Sequence, residues 1–203
     1  MQQSPSIAVF DVGGVLLDWN PRHLYRKMFD DADAMEHFLA TVCTREWNLQ
    51  LDAGRGYVDG VAELVERFPD QAELIRAYDE RWPEMIAGVI EGTVEILETL
   101  QAGDRSVYAI TNFSAEKFAL SRQLWPFLDA FDGVVVSGEV KTLKPQPEIF
   151  QILFERHDLT PSDCVFIDDV PANVAGAEAV GMHGHHFTSP ESLRADLEAA
   201  GIL

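Results

Sequence analysis

The chain has 203 residues, 47% of them hydrophobic, and sets 34 acidic residues against 15 Lys and Arg, a formal net charge of -19. That length supports one good core with a small second lobe. The charge repels nucleic acid and anionic membrane surfaces, but not a small anion held in a local positive pocket. No apolar run approaches the roughly 18 residues of a membrane span, and no charged start leads into an apolar leader. The two cysteines, Cys43 and Cys164, lie far apart and fit a reduced protein. A cytoplasmic protein is expected, with neither nucleic acid nor membrane among its partners.

In chain order, IAVF (7–10) reads as the first strand, and it runs straight into Asp11 and two glycines. The interval from Asp18 to about Gly88 shows helical spacing of apolar residues in HLYRKMF, DAMEHFLATVC, YVDGVAELVERF and QAELIRAYDERW, with no clear strand. Within it, WNPRH (19–23) looks like a helix start, with Asn20 as N-cap and Pro21 in the first turn. A helix over 93–102 then leads to a strand over 107–111. Ser114 caps a helix over 114–125. A strand over 133–137 precedes a helix over 147–157 that starts on a proline. A strand over 164–167 precedes a helix over 171–180, again opened by proline. HGHHF (183–187) reads as a last strand with surface histidines, and a helix over 190–200 closes the pattern. Gly103 and Gly181 suit helix C-termini.

Continuous apolar strands alternating with helices predict an α/β fold: a doubly wound, Rossmann-like parallel sheet with an inserted helical domain. Residues 1–17 and 89–203 form the core on this reading, and 18–88 a helical cap over the carboxyl ends of the strands, where such sheets bind ligands.

The residues that follow each strand carry the chemistry. The first strand ends in Asp11, the second in Thr111-Asn112, the third leads to Lys141 and Lys144, and the fourth ends in Asp168-Asp169 with Asn173 one helical turn on. A parallel sheet gathers them at one edge. Carboxylates so close repel one another unless a cation lies between them. A hard divalent ion with oxygen ligands fits, and Mg2+ is the usual choice where a phosphate shares the site.

The stretches FDVGG, ITN, LKP and FIDDVPAN, in this order and at these intervals, resemble the four motifs of the haloacid dehalogenase superfamily, over nearly the whole chain. The helical insert resembles that family's C1-type cap. The resemblance implies Asp11 as a nucleophile that forms an aspartyl phosphate. It implies Mg2+ held by Asp11, the Gly13 carbonyl and Asp169, with Asp168 in or just behind the ligand set. It implies Thr111, Asn112 and Lys144 around the phosphate. Trp19, Arg22 and His23 either face the substrate or pack the cap onto the core. The expected substrate is a small phosphorylated metabolite, sugar phosphates included, turned over by a monomer or homodimer.

One departure from the pattern stands out. Phosphatases of this family usually carry a second Asp two residues after the first, acting as general acid and base, and here that position is Gly13. Asp18 and His23 are nearby candidates to replace it. The alternative readings are a metal-independent 2-haloacid dehalogenase and a catalytically weak relative that binds a phosphorylated ligand. A dehalogenase usually carries Tyr at the Gly13 position and Ser-Ser-Asn where this chain has Asp168-Asp169.

Overall fold

The computed structural model describes residues 5–103 and 105–203. Strand β1 (Ile7–Phe10) passes through a glycine turn into β2 (Leu17–Trp19). The helices α1 (Pro21–Tyr25), α2 (Ala32–Thr41), α3 (Arg45–Asp52), α4 (Tyr57–Arg67) and α5 (Ala72–Glu80) follow, and β3 (Ile86–Val89) ends the insert. The chain continues through α6 (Glu91–Ala102), β4 (Val107–Thr111), α7 (Ala115–Leu124), β5 (Gly133–Val136), α8 (Ser137–Val140) and α9 (Pro147–His157). It closes with β6 (Cys164–Asp168), α10 (Pro171–Ala179), β7 (His183–His186) and α11 (Pro190–Ala199).

The main sheet is parallel throughout, in the order β5-β4-β1-β6-β7. Alternation along each strand divides its side chains between two helical layers. Ala8 and Phe10 of β1, with Val165 and Ile167 of β6, meet Ile96, Leu97 and Leu100 of α6 and Leu193 and Leu197 of α11. Val9, Ile110 and Phe166 point the other way, onto Ile149, Phe150 and Leu153 of α9 and Ala177 of α10. Burial on both faces explains the unbroken apolar runs. A third cluster fills the insert and reaches the sheet, with Tyr25, Phe38, Trp47, Leu51 and Tyr78 packed near Trp82 and Phe113.

β1 is central, with β4 and β5 laid to one side and β6 and β7 to the other. The strand order therefore reverses at β1, and the crevice beyond its carboxyl end is where an open sheet of this type takes a ligand. The local caps follow from sequence. Asn20 accepts a hydrogen bond from the Arg22 N–H at 3.0 Å and Ser114 one from the Lys117 N–H at 3.2 Å. Gly181, at φ +96°, turns the chain after α10.

Two expectations are corrected. The interval expected to be purely helical is bounded by β2 and β3, which pair only with each other, antiparallel, with Leu17 opposite Val89 and Trp19 opposite Ile86. Three and four residues are too few for alternation to show in the sequence. β7 was expected to carry surface histidines, yet His185 is buried and its Nδ1 lies 2.8 Å from Asp196 on α11. An edge strand lying under a helix buries one of its faces. No helix among the described residues is long and apolar enough to cross a membrane.

Candidate active site

Asp11 follows β1 directly, and its backbone N–H is held by the Ile167 carbonyl of β6 at 2.8 Å. Its side chain is almost fully buried. Oδ1 accepts the Val12 N–H at 2.7 Å, and Oδ2 lies 2.8 Å from Lys144 Nζ. Asp168, at the end of β6, is completely buried. It accepts from Lys144 Nζ at 2.7 Å, the Val170 N–H at 2.8 Å and both oxygens from Asn173 Nδ2 at 3.1 Å. Lys144 Nζ completes its three bonds on the Ile110 carbonyl at 2.9 Å. The ammonium is thus saturated: it balances Asp11 and fixes its position.

Asn112 explains why Lys144 stands there. The Asn112 side chain accepts the Lys144 N–H at 2.8 Å and donates to the Lys144 carbonyl at 3.1 Å. Asn112, expected beside the phosphate, also lines the cleft, so it clamps the lysine's backbone and borders the ligand space at once. Thr111 is 1% exposed, and its hydroxyl has no partner among the described residues. A buried hydroxyl at the end of β4 is thus left with a hydrogen bond still to make, close in sequence to the cleft-lining Asn112.

Asp11, Asp168 and Asp169 each offer a carboxylate oxygen within 4.8 Å of the others. Burial pushes the Asp11 pKa up to about 7; Lys144 opposes the shift and Asp168 adds to it. Asp169 is raised too, by burial first and then by Asp168. Three carboxylates against one ammonium leave an excess of negative charge that a divalent cation would relieve, and the donors are all oxygens, as Mg2+ requires. Each Asp168 oxygen already accepts two hydrogen bonds while each Asp11 oxygen has one polar partner, so Asp11 and Asp169 are the carboxylates more open to an ion. The turn is shaped around this cluster: at Gly14, with φ +76°, a Cβ would lie 2.5 Å from Asp169 Oδ2.

Above the carboxylates opens a cleft of about 560 Å³ between the insert and the sheet edge. Asp11, Gly13 and Asp169 form its floor, and Trp19, Leu39, Leu49, Tyr78, Trp82 and Phe113 give it apolar walls. Arg22 lines it, but its guanidinium is held in a two-pronged pair by Glu36, each bond 2.6 Å. His23 does not line the cleft: its Nε2 sits 3.2 Å from the exposed Asp18, so neither stands in for a second motif-one acid. Arg45, at the start of α3, lines the cleft and helps to hold the Asp169 carboxyl down.

Sequence reasoning passed over Asp52, the last residue of α3, which is buried and lines the same cleft. Nothing in its sequence neighbourhood marks it as a cleft residue, because the contact that ties it to the sheet edge comes from Ser137, 85 positions away.

This constellation agrees with a comparison of whole chains. A family model for haloacid dehalogenase-like hydrolases matches residues 5–181. The chain belongs to this family. The sesquiterpene phosphatase astK of Aspergillus oryzae is 28% identical to it over 184 residues, 89% of each chain. Flavin mononucleotide hydrolase 1 of Arabidopsis thaliana is 35% identical over 120 residues, which cover 56% of this chain and 46% of that protein. A HAD family enzyme from Bacteroides thetaiotaomicron, solved with magnesium and inorganic phosphate, superposes with a TM-score of 0.69. Its identity is 20%, over 91% of this chain and 95% of that one. The protein is therefore a HAD hydrolase, of a kind whose named relatives include phosphatases.

Proposed function

We propose that the protein is a Mg2+-dependent phosphatase of small phosphate monoesters, acting through an aspartyl phosphate on Asp11. The observation that carries this reading is the buried Asp11–Lys144–Asp168 chain beside the unpartnered Thr111 hydroxyl. A nucleophile, its counter-charge and a free donor share one sheet edge beneath a cleft. Asp11 would attack phosphorus from below, with the ester oxygen leaving toward the cleft. Lys144 lowers the cost of bringing a phosphate dianion to a carboxylate, since a positive charge fixed beside the nucleophile needs no reorganisation during reaction. Thr111 would donate to a phosphate oxygen. Mg2+ held by Asp11, Asp169 and the Gly13 carbonyl would supply charge neutralisation of the phosphate. Water then cleaves the acyl phosphate.

The organic part of the ester would occupy the cleft. Its walls combine aromatic and aliphatic side chains with a few polar ones, among them Arg45, Asn48 and Asp52, and the cleft's Arg22 is already paired with Glu36. An ester with an apolar or aromatic group suits these walls at least as well as a bare sugar. Oligomeric state does not enter this reading, since every group named comes from one chain.

A metal-free 2-haloacid dehalogenase is less well supported. Asp169 beside Asp11, with no cation between them, would repel a carboxylate substrate. The deciding experiment is phosphate release from a panel of monoesters with Mg2+ or EDTA, for the native chain and Asp11→Asn, with 2-chloropropionate alongside. The expected result is metal-dependent phosphate release that falls at least about 10³-fold in Asp11→Asn, the scale of losing a catalytic nucleophile. Chloride release that survives EDTA would replace this reading with the dehalogenase. Binding of phosphate esters without turnover would replace it with a ligand-binding relative.

A further inference from the structure

The phosphatase reading leaves one part of the reaction without a group. An ester with a poor leaving group needs a proton on the departing oxygen, and the water of the second step needs a base. At Gly13 there is no side chain to do either, and Asp18 and His23 pair with each other away from the cleft.

Asp52 is the carboxyl that faces the same space from above. It is 8% exposed, lines the cleft with Asp11, and sits outside the Asp11–Asp168–Asp169 cluster. Its Oδ2 accepts a hydrogen bond from Asn48 Nδ2 at 2.8 Å, and Asn48 Oδ1 in turn accepts from the Tyr78 hydroxyl at 2.8 Å. Its backbone carbonyl accepts from Ser137 Oγ at 2.6 Å, which ties the end of α3 to the sheet edge. Among the described residues it forms no salt bridge, although acids this buried are normally paired.

We propose that Asp52 is the general acid and base of this site, supplying from the insert the carboxyl that the turn at Gly13 lacks. This rests on the phosphatase reading. In the first step Asp11 forms a bond to phosphorus, the phosphorus–ester oxygen bond breaks, and the leaving oxygen takes the Asp52 proton. In the second, water attacks the phosphorus of the aspartyl phosphate and gives a proton to the Asp52 carboxylate. The bond between phosphorus and the Asp11 oxygen breaks, inorganic phosphate departs, and Asp52 is again protonated.

The protonation state suits the role. Burial raises the Asp52 pKa to about 8, with the Asp11 charge adding to the rise and the Ser114 N–H, Asn48 and Lys144 opposing it. Tyr57 and Tyr78, whose own pKa values lie well above the usual phenol range, also face it and stay neutral. At pH 7 the carboxyl therefore holds a proton to give. Above about 8 it does not, and turnover limited by protonation of the leaving group falls.

The test compares two esters of similar shape, p-nitrophenyl phosphate with a good leaving group and phenethyl phosphate with a poor one, under saturating Mg2+. Asp52→Asn keeps the side chain's size. It is expected to cost kcat about 10²–10⁴-fold on phenethyl phosphate, the usual worth of general acid–base help, and at least tenfold less than that on p-nitrophenyl phosphate. The native enzyme is expected to show an alkaline fall in kcat near pH 8 on phenethyl phosphate that is missing in the variant. Gly13→Asp in the Asp52→Asn background is expected to recover part of the lost rate, since a Cβ at Gly13 meets nothing nearer than Trp19 Cβ at 4.0 Å.

Equal losses on the two esters, or an alkaline fall that persists in Asp52→Asn, would overturn the proposal and leave Asp52 as a tie between insert and sheet. Asp11→Asn separates the two levels. If it retains turnover, the phosphatase reading itself fails. If it is dead while Asp52→Asn affects both esters alike, only the role of Asp52 falls.

Discussion

Lys144 has three ammonium protons and three acceptors, Ile110 O, Asp11 Oδ2 and Asp168 Oδ2, and it is buried with them. A lysine stem flexible enough to reach many places is held to one because the protein spends a whole side chain on its backbone. Asn112 grips the Lys144 N–H and carbonyl together. Replacing Asn112 with Ala removes both bonds, each worth about 0.5–1.5 kcal/mol net, and frees the lysine to shift. The expected outcome is a fall in kcat of at least about tenfold with a smaller change in KM, checked by steady-state kinetics on p-nitrophenyl phosphate. An unchanged kcat would show that Lys144 needs no such clamp. Gly14 makes the complementary case for a residue defined by what it lacks. Its φ of +76° disfavours any side chain, and a Cβ there would press on the Asp169 carboxylate at 2.5 Å. Gly14→Ala is expected to cost about 1–3 kcal/mol of stability and to weaken Mg2+ binding, read by denaturant titration and by metal titration. Tight Mg2+ binding in that variant would remove Asp169 from the ligand set.

Between elements, the contact that matters most joins α3 to the start of α8. Ser137 Oγ donates to the Asp52 carbonyl and accepts the Phe113 N–H at 2.9 Å, so one buried hydroxyl links the insert, the loop after β4 and the end of β5. Gly54, at φ +96°, allows the approach, since a Cβ there would stand 2.8 Å from the Gly138 carbonyl. Ser137→Ala leaves the buried Phe113 N–H without its acceptor and is expected to destabilise the fold by about 1–3 kcal/mol, measured by urea unfolding. A change below 0.5 kcal/mol, inside the scatter of ordinary surface substitutions, would mean that water or a neighbour takes over the bond. This contact also marks where sequence reading ends. Asp11, Thr111, Lys144, Asp168 and Asp169 were legible because a buried parallel strand announces itself as an apolar run, and the residues that follow it must share an edge. Asp52 was not, because its partner Ser137 is 85 positions away and no local period connects them. β2 and β3 were missed because strands so short have no pattern of their own. The buried side of β7 depended on α11 crossing it, and the roles of Asn112 and His23 depended on which neighbour each side chain reached first.

Over the whole molecule the acidic excess and the acidic site pose the same electrostatic problem at two ranges. The net charge of -19 is spread over the chain, and its self-repulsion is weakened by any salt once the Debye length falls to about 10 Å at 0.1 M. The carboxylates of Asp11 and Asp168 are buried, with Asp169 more open beside them, and the three lie too close together for mobile ions to screen well; Lys144 offsets part of their repulsion, and a cation seated among them would relieve the rest. Melting in NaCl and in MgCl2 at equal ionic strength separates the two. Both salts are expected to raise Tm through general screening, and MgCl2 should add a further rise that saturates with concentration. Binding to the folded state alone contributes about 2.7 kcal/mol once free Mg2+ reaches 100 times Kd. Asp169→Asn keeps the size of the side chain and nearly all of the net charge, so it should retain the response to NaCl and lose most of the extra rise in MgCl2. If the variant and the native chain gain equally from Mg2+, the ion acts on the surface at large, and the site described here is not where it binds.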